Sequence, residues 1–121
     1  MLHRVKLWKY AKTKSKYKNV PRDTGGHTYQ SIKEAKYAQD LEWRLKAKDI
    51  KAWSRQVKVP LYGRNGSHVC DYWVDFRVEH TDGTTEYVEV KGFETDTWRL
   101  KWKLFEDEMK DKADTVLTIV K

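Results

Sequence analysis

Asp75, Glu89 and Lys91 are the residues whose types and spacing in this chain could do chemistry. Glu89 and Lys91 lie two apart in a β-forming run over residues 85–91, and side chains two apart on a strand share a face. In the preceding run Asp71, Trp73 and Asp75 alternate with Tyr72, Val74 and Phe76. If Thr81-Asp82-Gly83 is the hairpin loop between the runs, His80 pairs with Thr84 and Asp75 falls opposite Glu89. A slip of one residue breaks the arrangement. Two neighbouring carboxylates repel each other, and a hard divalent cation resolves the conflict. Mg²⁺ takes one or two carboxylates and keeps several waters. It activates a water and neutralises charge on a phosphate undergoing displacement. Lys91 on the same face can position that water and stabilise the developing charge. The same spacing also suits a surface cluster in which Glu89 and Lys91 offset each other in solvent.

A third carboxylate comes from a predicted helix over residues 31–48. Ser31-Ile32-Lys33-Glu34 has capping-box spacing, with Ser31 as N-cap. At 100° per residue Ala38, Leu41 and Leu45 form one stripe, and Glu34 lies within it. Glu34 is therefore either a capping residue reaching back to Ser31 or an acid aimed inward at the Asp75–Glu89 pair.

The elements that must hold these residues follow from pattern. Residues 21–26 read as a turn-rich connection, and 27–30 as a short strand leading into the first helix. Residues 50–78 carry strand signals, interrupted by turn residues between Gly63 and Gly66, and residues 69–78 are dense in β-formers. A second helix over 97–110 follows from the four, three, four spacing of Trp98, Trp102, Phe105 and Met109, a stripe suited to the core. Arg99, Lys101 and Lys103 lie off that stripe, where they could face solvent or phosphate. Residues 115–120 form a last β-branched strand. The order α-β-β-β-α-β predicts an α/β domain with a central mixed sheet flanked by helices.

Charge points to a partner. The chain has 121 residues and a net charge of +7. Residues 1–22 hold Arg4, Lys6, Lys9, Lys12, Lys14, Lys16, Lys18 and Arg22 and no acid, so the rest is close to neutral. This predicts a basic N-terminal arm over 1–22 and a single domain over 23–121. Such a block suits a polyphosphate, because each Lys or Arg on a phosphate releases a counterion. Trp8, Tyr10 and Tyr17 among the basic residues could stack on bases. A solvated arm that only aids solubility is the plainer alternative. No apolar run approaches the roughly 20 residues needed to cross a bilayer, so no membrane is expected as partner. The basic N-terminus lacks the apolar stretch of a secretory signal. The lone Cys70 can form no internal disulfide and predicts a reducing, cytoplasmic setting. His3, His27, His68 and His80 lack zinc-ligand spacing.

Asp75-Phe76 followed by Glu89-Val90-Lys91 resembles the two-part signature of the PD-(D/E)XK nuclease superfamily, with Val74 where the proline stands. More closely, the chain resembles a family of small phage-encoded proteins assigned to that superfamily. The resemblance runs in order through Lys16-Tyr17-Lys18-Asn19, Ser31-Ile32-Lys33-Glu34-Ala35, Ile50 with Gln56, Asp75-Phe76, and Val90-Lys91-Gly92-Phe93-Glu94-Thr95. The endonuclease subunit of certain transposition systems is similar to a lesser degree, sharing the order Glu, Gln, Asp, Glu-X-Lys. The resemblance implies a restriction-endonuclease-like core and a metal-dependent DNA endonuclease. It implies Mg²⁺ or Mn²⁺ held by Asp75 and Glu89 with the Val90 carbonyl, Lys91 as catalytic lysine, Glu34 completing the site, and Gln56 near the metal or the scissile phosphate. The expected reaction is phosphodiester hydrolysis leaving a 5′-phosphate and a 3′-hydroxyl. Branched DNA such as a Holliday junction is the expected substrate, a homodimer the expected assembly, and the host cytosol the expected setting for a phage protein. DNA contacts are expected from Lys12, Lys14, Lys16, Lys18, Arg22, Arg99, Lys101 and Lys103. The competing expectation is a non-catalytic nucleic-acid-binding module that uses the basic arm and the aromatics.

Overall fold

The first helix starts where its cap predicts. In the computed structural model, which describes Trp8–Ala11, Arg22–Thr24, His27–Tyr29 and residues 31–121, Ser31 is extended (φ −149°, ψ 162°). Its hydroxyl accepts from the Glu34 backbone N–H at 3.1 Å. Helix α1 (Ile32–Lys46) follows and buries Glu34, Ala35, Ala38 and Leu41. It ends at Ala47, and Lys48 adopts the left-handed conformation (φ 62°) with its N–H donating to the Leu45 carbonyl at 3.0 Å. Glycine usually takes this position because it has no Cβ to clash.

Two long strands, β4 (Ile50–Tyr62) and β5 (His68–His80), form an antiparallel hairpin, and β6 (Thr85–Val90) pairs antiparallel with β5. The β5–β6 turn is the one its sequence predicts. The His80 N–H donates to the Thr84 carbonyl at 2.8 Å, Gly83 takes φ 93°, and the Thr84 N–H donates to Asp82 Oδ1 at 2.9 Å. A three-residue loop with a left-handed glycine fixes the register of both strands. Helix α2 (Asp96–Met109) begins at the N-cap Thr95, whose hydroxyl accepts from the Trp98 N–H at 3.1 Å. Strand β7 (Thr115–Val120) returns parallel to β6 and is buried along nearly its whole length. The predicted α/β class and the order α-β-β-β-α-β are the observed ones.

The N-terminal part adds strands to this order, among them the short strand expected before α1. Within the segment expected as an arm, β1 (Trp8–Ala11) pairs parallel with β7, giving a five-stranded sheet in the order β1-β7-β6-β5-β4. The expected turn region instead contains β2 (Arg22–Thr24), which forms a small antiparallel hairpin with β3 (His27–Tyr29). No helix among the described residues is long and apolar enough to cross a membrane.

Two apolar clusters flank the sheet. One joins Trp98, Trp102, Phe105 and Met109 of α2 to Val59, Leu61, Tyr72, Val74, Leu117 and Ile119. The other joins Ala35, Ala38 and Leu41 of α1 to Ile50, Phe76, Val78 and Val88. On β6 neighbouring residues divide between the clusters, Tyr87 toward α2 and Val88 toward α1, as strand alternation requires of a sheet covered on both faces. On β5 the pattern is different. Tyr72, Val74, Phe76 and Val78 share one alternation, yet the first two pack with α2 and the last two with α1. The changeover falls at Asp75, and Gln56, beside it on β4, has φ 51°. The long hairpin thus coils from one core to the other at that row.

Because Lys48 holds a conformation that costs a side-chain-bearing residue about 1–2 kcal/mol, Lys48→Gly should stabilise the fold. Allowing for the greater freedom of glycine in the unfolded chain, the expected gain is about 0.5–1 kcal/mol. Urea denaturation measures it, and an unchanged or lower midpoint contradicts the assignment.

Candidate active site

The β5–β6 ladder runs from Glu79 with Thr85 to Phe76 with Val88, and its next step sets Asp75 opposite Glu89. The predicted register is the observed one. On the other side, Arg55 pairs with Phe76 and Val57 with Val74, so Gln56 stands across from Asp75. Gln56, Asp75 and Glu89 therefore occupy one row across three strands.

At that row side chains take over from the backbone ladder. Asp75 Oδ2 accepts from the Val90 N–H at 2.9 Å, and the backbone of Asp75 hydrogen-bonds in turn to the Glu89 carboxylate. The Gln56 side-chain amide donates to Glu34 Oε2 at 3.3 Å and reaches Asp75 Oδ1 at 3.5 Å. Glu34 is thus turned inward, with 3% of its surface exposed, while its own N–H satisfies the Ser31 cap. The Glu34 carboxylate faces the Asp75 row, while its backbone N–H serves the Ser31 cap. Gln56 reaches both acids from a left-handed backbone mid-strand, strain of a kind that tends to cluster at functional sites.

Glu89 is 4% exposed and also fully engaged. Its Oε1 accepts from the Tyr72 hydroxyl at 2.8 Å, and the Tyr72 oxygen accepts from the Trp98 indole N–H at 3.0 Å. Its Oε2 lies 3.5 Å from the Lys91 ammonium, which sits 5.1 Å from the centre of the Trp98 ring. Lys91 is placed by its own N–H, which donates to the Val120 carbonyl at 2.8 Å. Sequence pattern assigned Tyr72 to a strand and Trp98 to a core stripe. Both are core residues, and both also carry polar atoms into the acid cluster. The one sequence signal was chemical, since a buried tyrosine hydroxyl or indole N–H requires a partner.

Burial raises the Asp75 pKa to about 8, and the nearby charges of Glu89 and Glu34 add to the effect. Burial also pushes Glu89 up, against the pull of Lys91 and the hydrogen bonds from Tyr72 and Asp75. The cluster holds more acid than its one lysine balances. Among the described residues no three His, Cys, Asp or Glu side chains form a group spaced to hold an ion. The Gln56 amide, shared between Glu34 and Asp75, stands where a third carboxylate would approach. Mg²⁺ needs only one or two protein carboxylates and keeps its waters. The oxygen-only donors of Asp75 and Glu89, adjacent and mutually repelling, fit such a cation.

Of the other expected contact residues, Arg99, Lys101 and Lys103 stand on α2. Arg99 is tied to acids: its guanidinium donates to Asp96 Oδ1 at 2.7 Å and lies 3.5 Å from Glu94 Oε1. Its guanidinium remains half-exposed. Lys101 is half-buried and Lys103 exposed on α2. Lys12, Lys14, Lys16 and Lys18 lie outside the described residues, as does the side chain of Arg22 on β2. On the outer face of the β4–β5 hairpin, Lys58 sits 5.9 Å from the ring centre of exposed Trp73.

Fold and cluster together define an α/β domain with an acid-rich row at the point where two central strands part. Residues 13–121 match the model of a family described as protein of unknown function (DUF1064), and the chain belongs to that family. No curated protein and no solved structure matches it.

The pKa of Asp75 has a thermodynamic consequence. Between its ordinary value near ~4 and its folded value of about 8, the native state binds more protons than the unfolded state. Stability of the metal-free protein should therefore fall as pH rises through that window. Asp75→Asn, which cannot ionise, should be more stable than the parent by several kcal/mol at pH 8.5 and nearly equal to it at pH 4. Urea titrations in chelator decide this; parallel pH dependence in the two proteins contradicts it.

Proposed function

We propose that this protein is a Mg²⁺-dependent DNA endonuclease of the PD-(D/E)XK type, with Mn²⁺ able to substitute. The observation that carries the reading is the row in which Gln56, Asp75 and Glu89 meet, with Lys91 against Glu89. A purely binding protein gains nothing from burying acids where a phosphate would lie, since each repels it.

Asp75 and Glu89 would hold the cation, with the Val90 carbonyl as the implied backbone ligand. When bound, the cation supplies positive charge to the scissile phosphate. Asp75 is kept in place by the Val90 N–H, and Glu89 by Tyr72. Lys91 orients the attacking water and stabilises charge developing on the phosphate oxygens. The Trp98 ring beneath its ammonium restricts where that charge can point. Gln56 links Glu34 to Asp75 and can turn its amide toward phosphate or water. Hydrolysis leaves a 5′-phosphate and a 3′-hydroxyl. Branched DNA as substrate, a homodimer as the working form and a cytoplasmic setting belong to the same proposal.

One observation favours a second reading, a nucleic-acid-binding module without chemistry. The Lys58–Trp73 pair offers a cation and a stacking surface on the outer hairpin face. That reading makes binding indifferent to metal and to the acid row.

The test is cleavage of supercoiled plasmid and of a four-way junction, with Mg²⁺, with Mn²⁺ and with chelator. Metal-dependent nicking is expected. Asp75→Ala and Lys91→Ala should each lower the rate by about 10²–10⁴-fold, with DNA retention in a gel-shift assay largely kept. Folded parent protein that cuts neither substrate under either metal contradicts the endonuclease reading. DNA binding without cutting then leaves the binding module.

A further inference from the structure

Glu89 offers a cation unequal oxygens. Its Oε1 takes the Tyr72 hydroxyl at 2.8 Å in a buried setting, and that hydroxyl is itself held by the Trp98 indole N–H at 3.0 Å. The hydroxyl therefore has one donor bond and one acceptor bond, both made within the protein. Oε2 faces the Lys91 ammonium at 3.5 Å, a length at which little is lost when it yields. Turning both oxygens toward one ion would pull Oε1 from Tyr72 and leave its buried hydroxyl proton without an acceptor.

We infer that Tyr72 is a positioning residue that makes Glu89 a one-oxygen ligand, and thereby sets the site's preference for Mg²⁺ over Ca²⁺. The inference rests on the divalent-metal reading proposed above. Its chemistry is that of the two ions. Mg²⁺ is small, takes near-octahedral geometry and is content with single oxygens and water. Ca²⁺ takes six to eight oxygens at longer range and often draws both oxygens of a carboxylate. A glutamate anchored at one oxygen suits the first ion and denies the second part of its shell. The anchor is firm because it is backed by α2: Trp98 is 8% exposed, stacks on Trp102 with ring centres 5.7 Å apart, and is fixed at the first turn by the Thr95 cap. Tyr72 is itself wedged against Phe105, with ring centres 5.2 Å apart. Trp98 also underlies Lys91, so one indole steadies both the glutamate's anchor and the cation that must leave Oε2 when metal arrives.

The experiment is calorimetric titration of the full chain with MgCl₂ and with CaCl₂, without DNA, for the parent and for Tyr72→Phe, with circular dichroism to confirm that each is folded. The parent is expected to favour Mg²⁺. Tyr72→Phe should raise the Ca²⁺-to-Mg²⁺ affinity ratio by about tenfold, the change that corresponds to one net hydrogen bond. An unchanged ratio in folded Tyr72→Phe overturns the inference while leaving the metal site intact. Failure of the parent to take up either ion overturns the metal reading itself, so the two failures are told apart by which protein shows them. Should Tyr72→Phe not fold, Trp98→Phe carries the test. It keeps the hydroxyl but removes the donor that aims it, and the ratio must move in the same direction; a ratio that stays put overturns the proposal.

Discussion

Strand β6 leaves β5 just beyond the pairing of Phe76 with Val88, and the Asp75 carboxylate meets the Val90 N–H there at 2.9 Å. Much of the molecule depends on that contact. A backbone N–H facing a parting in a sheet must find an acceptor or lose about 1–3 kcal/mol. Here the acceptor is a side chain, which fixes Asp75 in space as firmly as a ladder bond would. The same parting lets the outer half of the β4–β5 hairpin coil away from α1 and close over α2. The two cores and the acid row thus share one geometric cause. Gln56, left-handed and opposite Asp75, is the backbone adjustment on β4 at that same row.

The acids are then a cost to the fold. Burial and the charges of Glu89 and Glu34 raise the proton affinity of Asp75, burial raises that of Glu89, and a structure selected for stability alone would replace such acids with apolar residues. The cluster is instead wired: Ser31 to Glu34, Glu34 to Gln56, Gln56 to Asp75, Asp75 to Glu89, Glu89 to Tyr72, Tyr72 to Trp98. The chain of contacts runs from the first turn of α1 to the first turn of α2 through the three strands between. Each helix is docked by its N-terminal turn onto the row.

What could be read from the sequence was local. Ser31 announced α1, Gly83 announced the tight turn, and the hairpin loop then fixed Asp75 opposite Glu89 by counting alone. The α2 stripe of Trp98, Trp102, Phe105 and Met109 was legible for the same reason, since periodicity acts over one or two turns. What was not legible depends on residues far apart in the chain. The indole N–H of Trp98 meets the Tyr72 hydroxyl 26 residues away, and nothing in either neighbourhood specifies the other. Gln56 was marked by resemblance, not by its flanks, which read as unbroken strand and gave no sign of a positive φ. Arg99 lay off the apolar stripe as expected, yet Asp96 and Glu94 engaged it first. The strand at Trp8–Ala11 was hidden by the basic residues around it, because charge masks the short alternation that marks an edge strand.

That strand changes how the molecule must assemble. Trp8 pairs with Leu117 and Ala11 with Val120, so partners more than a hundred residues apart lie side by side. Strand β7 is inserted between β1 and β6, parallel to both, and neither pairing can form from a hairpin. Closing so long a loop carries an entropic cost that is met only once most of the chain is ordered. Such non-local pairing favours slow folding. On the ribosome, the early strand has no β7 to pair with until residues 115–120 emerge, and only then can the five-stranded sheet become complete.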